Sequence, residues 1–314
     1  KAEVYEETAK PMVAGMFDKP ARSGLCFAYG NTNAGKSHTI MGPRDNEGIL
    51  PRTLADIYRR VQETTDRPRC VNLRVVEVYR NKAYDLLRAK DERGAALAFK
   101  QTPTGDEIEG LSEHYPPDLA AALELVKQGS NRAPVAKTAL NATSSRAHTV
   151  WMIEVQQRPT SRRGAPRGPV LWVVDLAGSE RIDRSMSNRG EAMSINRDIS
   201  SLFTCFKQLE AGSQHVSCRD RTATRLLLKN MLLREADDST PRLSCVMIIN
   251  VNPAASEYGE TEKVLTNALI STKARLVEEP PQQVCGVGSA LYGMNGHRIK
   301  RQKASHHAPG TDSP

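Results

Sequence analysis

The run Gly30-Asn31-Thr32-Asn33-Ala34-Gly35-Lys36-Ser37 is a complete match to the phosphate-loop pattern G-x-x-x-x-G-K-[ST]. It constrains the chain to folds in which a buried strand enters a glycine-rich turn and a helix leaves it. Glycines let the backbone curl until successive N–H groups point inward at phosphate oxygens, and the helix adds its positive N-terminal end. Lys36 is then set against the β and γ phosphates, and the Ser37 hydroxyl is set for Mg²⁺. Both flanks agree. Leu25-Cys26-Phe27-Ala28-Tyr29 is an apolar run of buried parallel-strand type, and Ser37-His38-Thr39-Ile40-Met41 before Gly42-Pro43 predicts a short helix and its stop. A surface turn that spelled the motif by coincidence would predict neither flank.

A second stretch supplies what such a loop needs. Leu171-Trp172-Val173-Val174-Asp175-Leu176-Ala177-Gly178-Ser179-Glu180 is an apolar strand ending in a carboxylate. Placed at the carboxyl end of a strand, Asp175 can hold the water shell of Mg²⁺, and Gly178 offers a backbone N–H at the γ-phosphate with no side chain in the way. In isolation the same residues would read as a core strand capped by a turn aspartate. A third stretch, Asn141-Ala142-Thr143-Ser144-Ser145-Arg146-Ala147-His148, gathers hydroxyls around one arginine.

The 314 residues allow one large α/β domain with a tail. The net charge of +8 calls for an acidic partner surface, without choosing among nucleic acid, anionic lipid and an acidic protein lattice. Cys26, Cys70, Cys205, Cys218, Cys245 and Cys285 form no C-x-x-C pair, so neither a zinc site nor a disulfide framework is indicated and a reducing compartment is expected. No apolar run approaches membrane-spanning length.

Periodicity predicts helices over 2–16, 52–61, 119–128 (ended by Gly129), 191–209, 222–234 and 258–277, and strands over 71–80, 149–156, 170–174 and 243–251. The strands at 149–156 and 170–174 flank a basic loop and predict a hairpin. Residues 88–113 read as polar loop with strand fragments. Residues 278–314, rich in Pro, Gly, Ser and His, read as a disordered basic tail or a continuation of a linker.

The three motifs, in this order, resemble one family, the kinesin motor heads. Phe27-Ala28-Tyr29-Gly30 through Thr39 is similar to their phosphate loop, residues 141–148 to their first switch (N-x-x-S-S-R-S-H), and residues 175–180 spell their second switch, D-L-A-G-S-E. The likeness extends over residues 2–277, through Glu77-Val78-Tyr79, Tyr84-Asp85-Leu86-Leu87, Ile195-Asn196, His215-Val216, Arg219-Asp220 and Asn250-Val251-Asn252-Pro253, with features of the mitotic, cytokinetic branch. The resemblance implies an α/β phosphate-loop fold, a central mostly parallel sheet flanked by helices on both faces. It implies ATP/ADP and Mg²⁺ as ligands, ATP hydrolysis stimulated by microtubules, and movement along them in the cytoplasmic cytoskeleton, the spindle included. Nucleic acid and membrane then have no role, and homodimer formation would fall to coiled-coil segments outside this chain.

Role by role, the resemblance places Gly30, Asn31, Thr32, Asn33, Ala34, Gly35, Lys36 and Ser37 around the phosphates and His38 near the adenine. It sets Ser37, Ser145 and Asp175 toward Mg²⁺, and Ser144 and Gly178 at the γ-phosphate or the attacking water. Arg146 and Glu180 would form the ion pair that closes the two switches. Arg197, Arg219, Arg221 and Arg225 would face the acidic lattice.

Several positions depart from the family. Ala147 replaces the last serine of the first switch, Asp198 introduces a negative charge on the lattice-facing helix, and Asp220-Arg221-Thr222-Ala223-Thr224-Arg225 lacks the family's lysine. The linker between Glu180 and Ile195 is short, and the family's first strand and R-x-R-P motif would precede residue 1. Ala147 and Asp198 support a second hypothesis, a nucleotide-gated microtubule-binding module with little or no motility or ATPase activity. A metabolic kinase or GTPase is disfavoured, since no N-K-x-D base-reading motif is present.

Overall fold

A computed structural model of the chain describes residues 1–64, 68–88, 95–102, 105–132, 146–157, 168–179, 189–211, 213, 215–229 and 243–271. Strand β1 (Ser23–Tyr29), which feeds the phosphate loop, is buried along its whole length. It runs parallel to β7 (Val170–Asp175) on one side and β8 (Leu243–Ile249) on the other. Parallel neighbours and covered faces explain why these three segments are continuous apolar runs rather than alternating ones.

Beyond β7 the sheet turns antiparallel. The hairpin of β6 (His148–Gln157) with β7 forms as predicted, and β2 (Arg69–Tyr79) pairs antiparallel with β6. A turn at Arg80 and Asn81, with φ of 47° and 60°, brings back β3 (Lys82–Asp85), and two successive left-handed residues suit the twist of a tight hairpin. The order is β3-β2-β6-β7-β1-β8, so among the described residues β3 and β8 are the edges. The expected mostly parallel sheet is thus parallel where it carries the loop and antiparallel elsewhere.

Alternate residues of β1 enter opposite cores. Leu25, Phe27 and Tyr29 join Trp172 and Val174 under α6 (Arg189–Glu210), which contributes Leu202, Phe203 and Phe206. Cys26 and Ala28 join Leu171 and Val173 under helices α1 (Ala2–Glu7), α2 (Ala9–Gly15), α4 (Ile49–Glu63) and α5 (Leu119–Arg132). The ring of Tyr29 meets Phe203 edge-on at 5.0 Å and that of Phe27 lies 6.1 Å from Phe206. Full burial of such a ring is worth about 1.5–3 kcal/mol, so these pairs hold α6 against the strand that ends in the phosphate loop.

Some boundaries differ from the sequence reading. The helix over 2–16 is broken at Thr8, where φ is −110° and ψ −77°; its N–H and its hydroxyl both donate to the Val4 carbonyl. Gly129 does not end α5: it lies inside it, with Val75 Cγ1 3.2 Å from where a Cβ would stand, so its role is close packing on β2. Residues 222–234 were expected to form one helix; the described part is a single α turn, α7 (Thr222–Thr224), followed by a π-helical turn (Arg225–Lys229). Residues 88–113 contain a ribbon of β4 (Ala98–Thr102) and β5 (Gly105–Glu109). A final helix, α8 (Tyr258–Ser271), packs Val264 and Ala268 into the α6-side core. The tail at 278–314 lies outside the described residues, as does the basic loop at 158–167.

Candidate nucleotide site

The loop is held open from behind by β8. Gly30 has φ +159°, and the Asn250 carbonyl oxygen lies 2.1 Å from the position of a Cβ on Gly30. Any side chain there would collide with backbone. Asn33 (φ 63°) and Gly35 (φ 92°) take left-handed conformations, which glycine adopts without strain and asparagine more readily than most residues. Gly35 leads into α3 (Lys36–Ile40), a helix of only 5 residues. The loop's own amides, more than a helix dipole, therefore define the cradle.

Lys36 is 6% exposed and its Nζ donates to the Asn31 carbonyl at 2.8 Å across the loop. Ser37 and His38 are exposed, and His38 Nε2 lies 3.0 Å from Lys1 Nζ.

Asp175 reaches the loop because its strand neighbours β1, with Ala28 paired to Asp175 in register. The Ser37 hydroxyl donates to Asp175 Oδ2, while Asp175 Oδ1 is buried with no hydrogen-bond partner. Burial raises the Asp175 carboxyl above its ordinary pKa, and Ser37, Lys36 and His148 oppose that rise. An orphaned carboxylate oxygen beside a serine hydroxyl at a phosphate loop is a donor set that a hard cation completes. Mg²⁺ typically uses one or two protein oxygens and takes the rest from water and substrate phosphates, so Ser37 and Asp175 fit that ion. Among the described residues no group of three or more His, Cys, Asp or Glu forms a metal cage, and such a site requires none.

The segment after β7 is tied to both sides. The Ser179 amide donates to the Gly30 carbonyl at 3.3 Å and the Ala177 amide to His148 Nδ1 at 3.0 Å. Gly178 is buried between them. Arg146 is half-buried just before β6. Ser144, Ser145 and Glu180 lie outside the described residues.

Three further residues shape the site. Asn250 donates its backbone N–H to the Tyr29 carbonyl at 2.7 Å and its side-chain amide to Thr39 Oγ1 at 2.8 Å. Glu257, just before α8, accepts from Asn31 Nδ2 at 3.0 Å. Lys263, on α8, donates to the Ser179 carbonyl at 3.4 Å. The Asn250-Val251-Asn252-Pro253 motif was visible in the sequence, but nothing local said it would lie under residue 30. Glu257 and Lys263 carry no sequence signal, because their positions depend on where α8 docks.

The four nominated arginines divide. Arg197 and Arg219 are exposed. Arg225 Nε pairs with Asp106, whose side chain is fully buried, and its guanidinium lies 4.8 Å from the Phe99 ring centre. Arg221 Nε donates to Asp198 Oδ1 at 2.7 Å.

The Asp198 expectation needs correction, since the residue is 3% exposed and faces Arg221 and His148, not solvent. Burial alone would push its carboxyl up, but His148 and Arg221 outweigh that and hold it below the usual range. A buried, paired carboxylate does not repel a partner surface.

Comparison with known proteins gives a consistent picture. A profile of the kinesin motor domain matches residues 1–273. The kinesin-like protein KIN-8A of Arabidopsis thaliana is 30% identical over 293 residues, covering 91% of this chain and 38% of that protein. The kinesin-like protein bimC of Emericella nidulans is 31% identical over 295 residues, covering 89% of this chain and 24% of its own. This chain therefore spans well under half the length of these relatives. Among solved structures, a KIF14 dimer in a two-heads-bound state with AMP-PNP, in complex with a microtubule, matches with a TM-score of 0.72 and 29% identity, covering 86% of this chain and 76% of that one.

Proposed function

The chain belongs to the kinesin motor-domain family, and we propose that it is an ATP-hydrolysing microtubule motor head. The observation that carries this reading is the contact between Ser37 of the phosphate loop and Asp175 at the end of β7, with one Asp175 oxygen left unmet. That pair is placed to hold a cation against a nucleotide phosphate, and such an ion supplies charge neutralisation at the β and γ oxygens.

The protein's own part is positioning. The loop amides from Gly30 to Ser37 bind the phosphates, and Lys36, already buried in the loop, exchanges its Asn31 contact for phosphate oxygens. Gly178 presents its N–H beside the γ-phosphate, held by the flanking Ala177 and Ser179 hydrogen bonds. A water then attacks the γ-phosphorus, the bond to the bridging oxygen breaks, and ADP leaves with that oxygen. No covalent enzyme intermediate is formed. Family likeness assigns Ser144 and Ser145 to the γ-phosphate and ion, His38 to the adenine side, and the Arg146–Glu180 pair to switch closure.

For the track, the +8 net charge and the exposed Arg197 and Arg219 suit the acidic surface of a microtubule. The match to a kinesin in complex with a microtubule supports the same partner and a cytoskeletal location.

The alternative, a microtubule-binding module that does not turn over ATP, loses one of its two supports with Asp198 buried and keeps only Ala147. Steady-state ATP hydrolysis with and without polymerised tubulin separates the two, beside Lys36→Ala and Glu180→Ala controls. Stimulated turnover lost in both controls supports the motor head; microtubule binding without stimulated turnover supports the static module.

A further inference from the structure

A line of polar contacts leaves the phosphate site through the core. The Ala177 amide, two residues past Asp175, donates to His148 Nδ1 at 3.0 Å. An imidazole that accepts at Nδ1 carries its proton on Nε2. That Nε2–H is buried with no hydrogen-bond partner, and it faces Asp198 Oδ2 at 3.7 Å. The two side chains are 2% and 3% exposed. On its far side Asp198 accepts from Arg221 Nε at 2.7 Å, and Arg221 Nη2 donates to Ser194 Oγ at 3.0 Å. His148 begins β6, Asp198 and Ser194 lie on α6, and Arg221 immediately precedes α7. Three elements are thus joined to the backbone beside the phosphate loop, and every joint is made except one.

The open joint is informative. A separation of 3.7 Å is beyond a hydrogen bond, yet a relative shift of under about 1 Å between β6 and α6 would make one. A buried donor left unmet is unfavourable, so the arrangement has a second, closed state within reach.

We propose that Asp198 is a positioning residue whose His148 contact opens and closes with occupancy of the phosphate site, coupling the segment after β7 to α6 and Arg221. A shift of the Ala177 amide with its segment would displace the imidazole bonded to it relative to Asp198, and the carboxylate would pass that change to the Arg221 guanidinium, two residues past the exposed Arg219. This rests on the nucleotide-dependent reading of the preceding section. It assigns to Asp198 the transmission of site occupancy, not the chemistry.

The test is release of a fluorescent ADP analogue from the full chain, alone and with saturating polymerised tubulin, for wild type, Asp198→Asn and His148→Gln. Expected is release without tubulin within about twofold of wild type in Asp198→Asn, and acceleration by tubulin reduced about fivefold or more in both variants, the low end of ordinary coupling between sites. The double variant should lose no more than either single one, because both break the same joint. A merely structural role would alter folding or basal release and spare the ratio. If Asp198→Asn folds poorly, Asp198→Ser, shorter and uncharged, gives the same comparison once its thermal midpoint is matched to wild type. An unchanged acceleration ratio in a folded Asp198 variant overturns the proposal and leaves the motor reading intact. A wild-type chain that binds no ADP, or shows no acceleration, overturns the motor reading and this proposal with it.

Discussion

Asn250 and Gly30 meet backbone to backbone: the Asn250 carbonyl oxygen stands 2.1 Å from the point where a Cβ on Gly30 would lie. The first glycine of the phosphate loop is therefore required by the neighbouring strand end as much as by the phosphate. Gly30→Ala should cost about 3 kcal/mol or more, at or above the usual overpacking range because the obstacle is backbone that cannot rotate away. Gly35→Ala meets no atom closer than 4.0 Å and strains only its φ of 92°, which costs about 1–2 kcal/mol. Urea denaturation of the two variants checks the order; equal losses would show that β8 does not press on the loop.

Asp175→Asn keeps the shape of the side chain but removes the charge that a cation would meet. Its ATP turnover should fall about 100-fold or more, and the Mg²⁺ concentration needed for half-maximal turnover should rise. The measurement is ATPase rate against Mg²⁺ at fixed ATP. An unaltered Mg²⁺ dependence would separate Asp175 from the ion.

Arg225 and Arg219 should behave oppositely although both were expected at the track. Arg225→Ala removes the guanidinium that pairs with the fully buried Asp106 carboxylate, and removal of one partner from a buried pair costs up to about 3–5 kcal/mol. Arg219 is exposed, and Arg219→Ala should change stability by less than about 0.5 kcal/mol while weakening microtubule affinity in a salt-dependent way. Thermal denaturation with microtubule co-sedimentation at two salt concentrations reads both effects.

Glu77 makes stability depend on pH. It is fully buried on β2 and neither carboxylate oxygen has a hydrogen-bond partner, so burial lifts its pKa to about 8. Between the unfolded value of 4.5 and about 8 the folded state holds a proton that the unfolded state has lost. Stability from this group is therefore full below the lower value and declines as pH rises, by at most about 1.4 kcal/mol per pH unit. Glu77→Gln should gain about 2 kcal/mol or more over wild type at pH 8 relative to the difference at pH 5. Urea titrations at both pH values check it, and a pH-independent difference would count against a protonated Glu77.

Much of this was legible in the chain itself. A phosphate loop announces itself because its chemistry needs particular residues at consecutive positions, and an apolar strand ending in Asp175 is likewise a local signal. The strands β1, β2, β6, β7 and β8 and helices α4, α5 and α6 were found near their true bounds, because burial on one face or two leaves a periodicity in the sequence. What local pattern misjudged was each residue whose meaning depends on a distant neighbour: Gly129 looked like a helix end and is a packing contact with Val75.

The sequence by itself determined the phosphate chemistry, the strand–loop–helix frame that presents it, and the basic charge available to a partner. Only the tertiary structure decided which charges remain available. Asp198 looks on paper like any exposed charged residue, yet packing buries it against Arg221, and the half-buried Arg221 and Arg225 are each engaged by a buried carboxylate, Asp198 and Asp106. The physical reason is that a side chain's charge is local, whereas its desolvation and its pairing are set by elements far apart in the chain that meet only when the core closes.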